Sequence, residues 1–254
     1  MPHAAGLWYE WHGPEGGEIL ILSAGLGGAG AYWAPNLGAL AQDHRVLTYD
    51  HRGTGRSGPL SSDPVSIESM AADVAGLMEA LAIRRPKFLG HAVGGMISLE
   101  LGHALSKRVI VNGWSRLDPH TARCFDVRRQ ILRDSGPEAY VRAQPIFLYP
   151  AGWSSRHSEM IDAEAAHQLE RFPPVETVER RIAAALAFEH RPGPACPTLL
   201  VAAADDVLVP AHCSEILAGE LVDARVASLA WGGHACNITE PDAFNRLVLE
   251  FLRS

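Results

Sequence analysis

Cysteine is scarce in this sequence and badly spaced for chemistry. The four present, Cys124, Cys196, Cys213 and Cys236, stand far apart with no C-x-x-C pair. That spacing argues against a thiol zinc site and a disulfide framework, and the expectation is buried thiols in a reducing cytosol. Basic runs are missing too. The formal net charge is −7 with a pI near 5.9, and the arginines of the middle third alternate with acids, so neither nucleic acid nor an anionic membrane is an expected partner. No stretch is apolar for long enough to span a bilayer, and residues 1–13 carry Glu10 and two histidines where a secretion signal needs an apolar run. The expected location is the cytoplasm.

What is present suits one α/β domain. At 254 residues and 47% hydrophobic, the chain can bury a single sizeable core. The run EILILS from Glu18 to Ser23 and the run TLLVAA from Thr198 to Ala203 are continuous and apolar, as strands buried on both faces of a mostly parallel sheet should be. Arg45 to Tyr49, Phe88-Leu89, Val109 to Asn112 and Arg225 to Leu229 read as further strands. Apolar residues at helical spacing from Ser66 to Ile83 and from Pro241 to Leu252 predict helices between and after them. From Asp118 to His190 strand patterns vanish and helical ones are broken at Gly136-Pro137, Pro150 and Pro173-Pro174. We therefore expect a core of residues 1–117 and 191–254, with helices on both faces of the sheet, and a helical lid inserted at 118–190.

The first glycine cluster is a decoy. Gly25, Gly27 and Gly30 spell G-x-G-x-x-G after a strand, with Asp50 about twenty residues on, as a dinucleotide fingerprint requires. Trp33 and Pro35 follow directly, however, where such a site needs small residues and an unbroken helix start. The same glycines let backbone N–H groups approach a developing negative charge, and the N–H of Leu26 is the oxyanion candidate. Asp50-His51-Arg52-Gly53-Thr54-Gly55-Arg56-Ser57 reads as a loop tied by its own acid and arginine. Ser57 sits in that turn and is not expected to be a nucleophile.

A second glycine frame is Gly90-His91-Ala92-Val93-Gly94, between an apolar strand and a helix. Asp206 follows the strand that ends at Ala203, the end at which open α/β sheets collect catalytic groups. Gly232-Gly233-His234 follows the last strand.

In this order the glycine loop, D-x-R-G-x-G-x-S, G-x-Ala-x-G, D-x-x-x-P from Asp206 and G-G-H resemble the α/β-hydrolase fold family over nearly the whole chain. In that family G-x-S-x-G places a serine on a strained strand-to-helix elbow, with an acid and a histidine later in the chain. The matching positions here are Ala92, Asp206 and His234, so the nucleophile position is vacant. A narrower resemblance rests on Ser23-Ala24-Gly25-Leu26-Gly27-Gly28, Val111-Asn112-Gly113-Trp114, residues 143–150 (AQPIFLYP) and Gly232-Gly233-His234-Ala235-Cys236-Asn237. Together these look like the RutD-type proteins of bacterial pyrimidine degradation, a family with alanine at the elbow.

That resemblance implies a hydrolase of pyrimidine (uracil) catabolism that breaks down carbamate or 3-aminoacrylate with release of ammonia. His234, held by Asp206, would move protons, and the N–H groups of Leu26 and Val93 would hold the substrate oxygen. Trp114, Arg116, Gln144 and Tyr149 are candidate lid-side substrate contacts. Arg116 is of particular interest because arginine can bind a carboxylate in bidentate fashion. The expected partner is a small molecule; no cluster implies a metal or an organic cofactor, and nothing encodes an oligomeric state. Two alternatives stand beside this reading. One is a non-catalytic small-molecule binder on the same fold, and the other is a serine hydrolase with an engineered alanine at the elbow.

Overall fold

The computed structural model describes residues 2–60 and 64–254. The strands are β1 (His3–Ala4), β2 (Leu7–His12), β3 (Glu18–Ser23), β4 (His44–Tyr49), β5 (Lys87–His91), β6 (Lys107–Val111), β7 (Thr198–Ala203) and β8 (Ala224–Leu229). They form one 8-stranded sheet in the order β1-β2-β4-β3-β5-β6-β7-β8. The pairings from β4 to β8 are parallel, and β2 runs antiparallel to β4 with Tyr9 opposite Tyr49. The central strands β5 and β7 are buried at every residue, which is why β7 reads as a continuous apolar run, while β5 begins with Lys87 and ends with His91 around an apolar centre. The β1–β2 hairpin was not anticipated from the sequence: Leu7–His12 lies between the short edge strand β1 and β4, and its longer pairing is with β4, far along the chain.

The helices are α1 (Ala34–Leu40), α2 (Ile67–Ala80), α3 (Val93–Leu101), α4 (Pro119–Leu148), α5 (Ala151–Arg156), α6 (Ser158–Glu170), α7 (Val175–Ala187), α8 (Ala211–Glu220), α9 (Cys236–Thr239) and α10 (Pro241–Arg253). α2 starts on a capping box in which the Ser66 and Ser69 side chains each accept from the other's backbone N–H, satisfying amides that have no intrahelical partner. One apolar core joins α2 and α3 to the sheet and to the inserted helices. On the opposite face Leu20, Val109 and Val201 pack under Trp33 and Phe244, whose rings stack at 6.4 Å.

The inserted helical region, α4 to α7, lies between β6 and β7. Most of its breaks fall at proline or glycine; the one between α5 and α6 falls at His157. Gly136 inside α4 takes φ 80° and ψ −178°, which divides that helix in two just before Pro137, and α5 and α7 begin directly after Pro150 and Pro174. Among the described residues no helix is long and apolar enough to cross a membrane.

Candidate active site

The elbow between β5 and α3 is sharp because its glycines allow it. Ala92 adopts φ 46° and ψ −107°, a conformation that L side chains rarely adopt and that persists only when the surroundings impose it. A Cβ on Gly90 would run into the backbone of Gly94, and one on Gly94 would strike the carbonyls of Ser23 and Ala24. Both glycines are therefore obligatory for the chain to turn here against the end of β3. At the top of the turn stands the Ala92 methyl, 5% exposed.

Asp206 and His234 meet beside this turn. Asp206 Oδ1 accepts the N–H groups of Leu208 (2.8 Å) and Val209 (2.9 Å), while Oδ2 lies 2.8 Å from His234 Nδ1. An ionised carboxylate only accepts, so Nδ1 carries the proton of this bond and Nε2 is the nitrogen that can give up or take up a proton. Both residues are buried. The imidazole of His234 meets that of His91, the residue before Ala92, edge to face with centroids 4.6 Å apart.

Residues with no evident chemistry of their own hold the histidine loop. Asn112, in the left-handed region at φ 48°, donates from Nδ2 to the His234 carbonyl (2.7 Å) and accepts the Ala203 N–H on Oδ1 (3.1 Å). His91 Nε2 reaches the same His234 carbonyl at 2.8 Å. Burial, and then the neighbouring His234, pull the His91 pKa down to about 3, so its ring is neutral. Asp205 accepts the Gly233 N–H, and Tyr32 donates to Asn237 Oδ1. Tyr32 carries no signal in the sequence, and Asn112 stands in the stretch Val111-Asn112-Gly113-Trp114 without any sign of its partner, which lies more than a hundred residues away.

The glycine loop after β3 packs on the elbow. A Cβ on Gly25 would stand 2.7 Å from His91 Nδ1. No backbone or side-chain acceptor takes the Leu26 N–H among the described residues, and the Val93 N–H opens α3, where no preceding turn supplies a carbonyl. These are the two amides predicted to face an oxyanion. The dinucleotide reading fails for a local reason: Asp50 Oδ1 accepts the Gly30 N–H (2.9 Å) and its other oxygen takes the Arg56 N–H, so the acid closes the loop on itself. Ser57 Oγ donates to the Asp50 carbonyl and accepts from Trp8 N, which makes it a turn tie.

The lid-side candidates divide. Trp114 is buried (1%) with its ring 6.5 Å from Phe125 of α4, in the same core as Ala92. Tyr149 is half-buried and packs on Trp153 at 4.7 Å; the adjacent Leu148 carbonyl accepts the Ala235 N–H, so this end of α4 docks on the histidine loop. Gln144 gives its Oε1 to Arg128 at 2.6 Å. Arg116 lies apart from the others. Its side chain is 68% exposed and pairs with Glu220 on α8, because the chain turns outward after Trp114 has entered the core.

Two arginines passed over in the sequence are buried in the insertion. Arg128 lies on α4, and Arg181 on α7 donates to Thr54 Oγ1 and His51 Nδ1 with its guanidinium against Gly28. Burial lowers the Arg181 pKa to about 10 and that of His51 well below its ordinary value.

The thiols and the possible metal ligands have limited chemistry. Cys196, Cys213 and Cys236 are buried and Cys124 half-buried, all free. Burial, with Asp206 nearby, pushes the Cys236 thiol up to about 12, so it is not a ready nucleophile. Asp118, His212 and Cys213 bring ligand-type atoms within 4.8 Å of one another. Asp118 is already occupied there: Oδ1 caps α4 through the His120 and Thr121 amides, and Oδ2 meets His212.

Comparison with known proteins agrees with this geometry. Residues 18–110 match the alpha/beta hydrolase fold family. The chain is 48% identical over 262 residues to a Caulobacter vibrioides protein named "Putative carbamate hydrolase RutD", covering 97% of this chain and 95% of that one. An Azorhizobium caulinodans protein of the same name is 46% identical, with 99% and 98% covered. Among solved structures, the enol-lactonase of Burkholderia xenovorans LB400 is similar with a TM-score of 0.88 and 28% identity, covering 98% of this chain and 96% of the other.

Proposed function

Because this chain belongs to the RutD family of α/β hydrolases, we propose that it breaks down carbamate or 3-aminoacrylate with release of ammonia, as a step of pyrimidine catabolism and without a serine nucleophile. The observation that carries this reading is the combination of a buried Asp206–His234 pair with an elbow whose strained backbone is intact while its side chain is a methyl. Removing the nucleophile from a serine hydrolase lowers turnover by about 10⁶, which rules out an efficient attack on a stable ester or amide. A labile substrate asks less. Carbamate and 3-aminoacrylate already decompose in water, and a positioned general acid or base supplies about 10² to 10⁴.

Atoms and charges balance for both. Carbamate accepts a proton on nitrogen, the C–N bond breaks with its electrons going to nitrogen, and ammonia and carbon dioxide leave. 3-Aminoacrylate accepts a proton on the carbon next to its carboxylate, giving an iminium. Water adds to that iminium, and loss of ammonia leaves malonic semialdehyde. In both, His234 carries the proton, and for 3-aminoacrylate it also orients the water, while Asp206 stabilises the imidazolium cation as long as it exists. The Leu26 and Val93 amides hold a substrate oxygen, and the small Ala92 leaves room for water at the turn.

The test is ammonia release from each compound generated in place. The expected result is acceleration by the protein and a return to the spontaneous rate in His234→Ala. Equal acceleration by His234→Ala would show that the pair is not the catalyst.

A further inference from the structure

Arg128 (5% exposed) and Arg181 (2% exposed) are buried with no carboxylate in ion-pair reach among the described residues. A buried cation without a counter-charge is strongly unfavourable, and an anion that enters the site removes the penalty. The two differ in how they are held. Arg181 is tied on both terminal nitrogens, to Thr54 and His51, and fastens α7 to the loop after β4, although its Nε, like that of Arg128, is buried without an acceptor. Arg128 is held from one end only: Nη2 donates to Tyr140 Oη (3.2 Å) and Gln144 Oε1 (2.6 Å), both neutral, while Nε is buried without an acceptor. The rings of Phe125, Tyr140 and Phe147 lie 5.0, 5.6 and 5.7 Å from its guanidinium and fix its plane.

Its position on α4 relates it to the Asp206–His234 pair. Thr121 Oγ1 donates to the Leu208 carbonyl, and Cys124 Sγ to that of Val207, both in the loop that carries Asp206. Arg128 is the next residue along that helical stripe, and helix side chains lean toward the N-terminus, here toward the acid loop. On the other side Gln144 lies one turn before Leu148, whose carbonyl holds the Ala235 N–H next to His234. The guanidinium is thus attached to segments that contact the acid loop on one side and the histidine loop on the other.

We infer that Arg128, presented by Tyr140 and Gln144, receives the carboxylate of the substrate beneath the inserted helices. The inference rests on the reaction proposed above, whose substrates carry that charge, and moves to Arg128 the role that Arg116 is too exposed to fill. A planar guanidinium with free donors fits a planar carboxylate, and the aromatic frame excludes the water that would weaken the pair.

Binding of an unreactive ligand tests this separately from catalysis. Calorimetric titration with propanoate and with its neutral counterpart propanamide is compared for the natural protein, Arg128→Met, Arg128→Lys and His234→Ala. Propanoate is expected to bind at least tenfold more tightly than propanamide. Arg128→Met should abolish that preference, Arg128→Lys keep part of it and His234→Ala keep all of it. Far-ultraviolet circular dichroism establishes that each variant is folded, and Arg128→Lys, which retains stem and charge, supplies the answer if Arg128→Met is not. No preference for propanoate in the natural protein, or an undiminished one in Arg128→Met, overturns the inference. Propanoate preference with no acceleration of ammonia release would instead sink the catalytic reading and leave the anion site standing.

Discussion

Asn112 and His234 are joined by a single side-chain bond, from Asn112 Nδ2 to the His234 carbonyl at 2.7 Å, that links the end of β6 to the loop after β8. The same carbonyl accepts from His91 Nε2, so two strand ends hold one peptide unit and thereby aim the imidazole attached to it.

The two donors are not equivalent. Asn112 also satisfies the buried Ala203 N–H and occupies a positive-φ position that asparagine tolerates better than most residues. Asn112→Ala should lower stability by about 2–3 kcal/mol, since it leaves a buried donor unpaired as well as losing its own bonds. His91→Phe should stay within about 1 kcal/mol, because it loses one bond but also removes the unpartnered Nδ1. Urea-denaturation midpoints compare them directly; equal losses would contradict this division.

Asp206→Asn should damage activity far more than stability. The amide oxygen can still accept from Leu208 and Val209, but the amide nitrogen would then face His234 Nδ1 as a donor and force the proton onto Nε2. A loss of about 10² to 10⁴ in the rate of ammonia release is expected from the wrong tautomer, by analogy with acid-to-amide changes in catalytic triads. Retention of the natural rate would mean that the imidazole does not work as a proton carrier.

The glycine frame and its centre give opposite results when changed. Gly94→Ala places a methyl against the Ser23 carbonyl, where neither backbone can yield, and a loss of more than about 3 kcal/mol or failure to fold is expected. Ala92→Ser adds one hydroxyl at a position whose backbone already suits it. That variant should gain esterase activity with an acyl-enzyme burst on an activated phenyl ester, without faster ammonia release. Absence of a burst in Ala92→Ser would mean that the elbow and His234 are not aligned for nucleophilic attack.

Acid should unfold the protein early. His91 is held neutral down to about pH 3 by burial and by His234, and His51 is shifted in the same direction by burial and by Arg181. In the unfolded chain both take up a proton near pH 6.5, so the unfolded state binds more protons below that value. The His91 contribution is complete above about pH 6.5 and is lost as pH falls toward 3, at up to about 1.4 kcal/mol per pH unit, and that of His51 falls in the same direction below about pH 6.5. Denaturation midpoints measured across this window should fall with pH, and His91→Phe should flatten the slope by about one proton; an unchanged slope would place that proton elsewhere.

Several features were legible in the sequence because their causes are local. Strand β7 is an apolar run, the breaks at Gly136, Pro150 and Pro174 are at glycine or proline, and the elbow is framed by two glycines that the turn itself requires. Asp206 and His234 were legible as members of turns at the ends of strands. The outward direction of Arg116 was not legible because a motif match identifies a residue without its direction, and the strand at Leu7–His12 was not legible because its pairing partner lies at 46–49.

By itself, then, the sequence determined the order of the buried strands and the crossover helices, the position of the inserted region, the strained turn and the absence of a nucleophile on it. Those follow from backbone sterics and from the period of apolar residues, which act over a few neighbours. Only the tertiary structure decided that Asp206 holds Nδ1 of His234, that Asn112 and His91 aim that ring, and that Arg128 rather than Arg116 is the buried guanidinium attached to both loops. Those relations depend on which way side chains point after elements far apart in the chain have packed, and no local pattern encodes that direction.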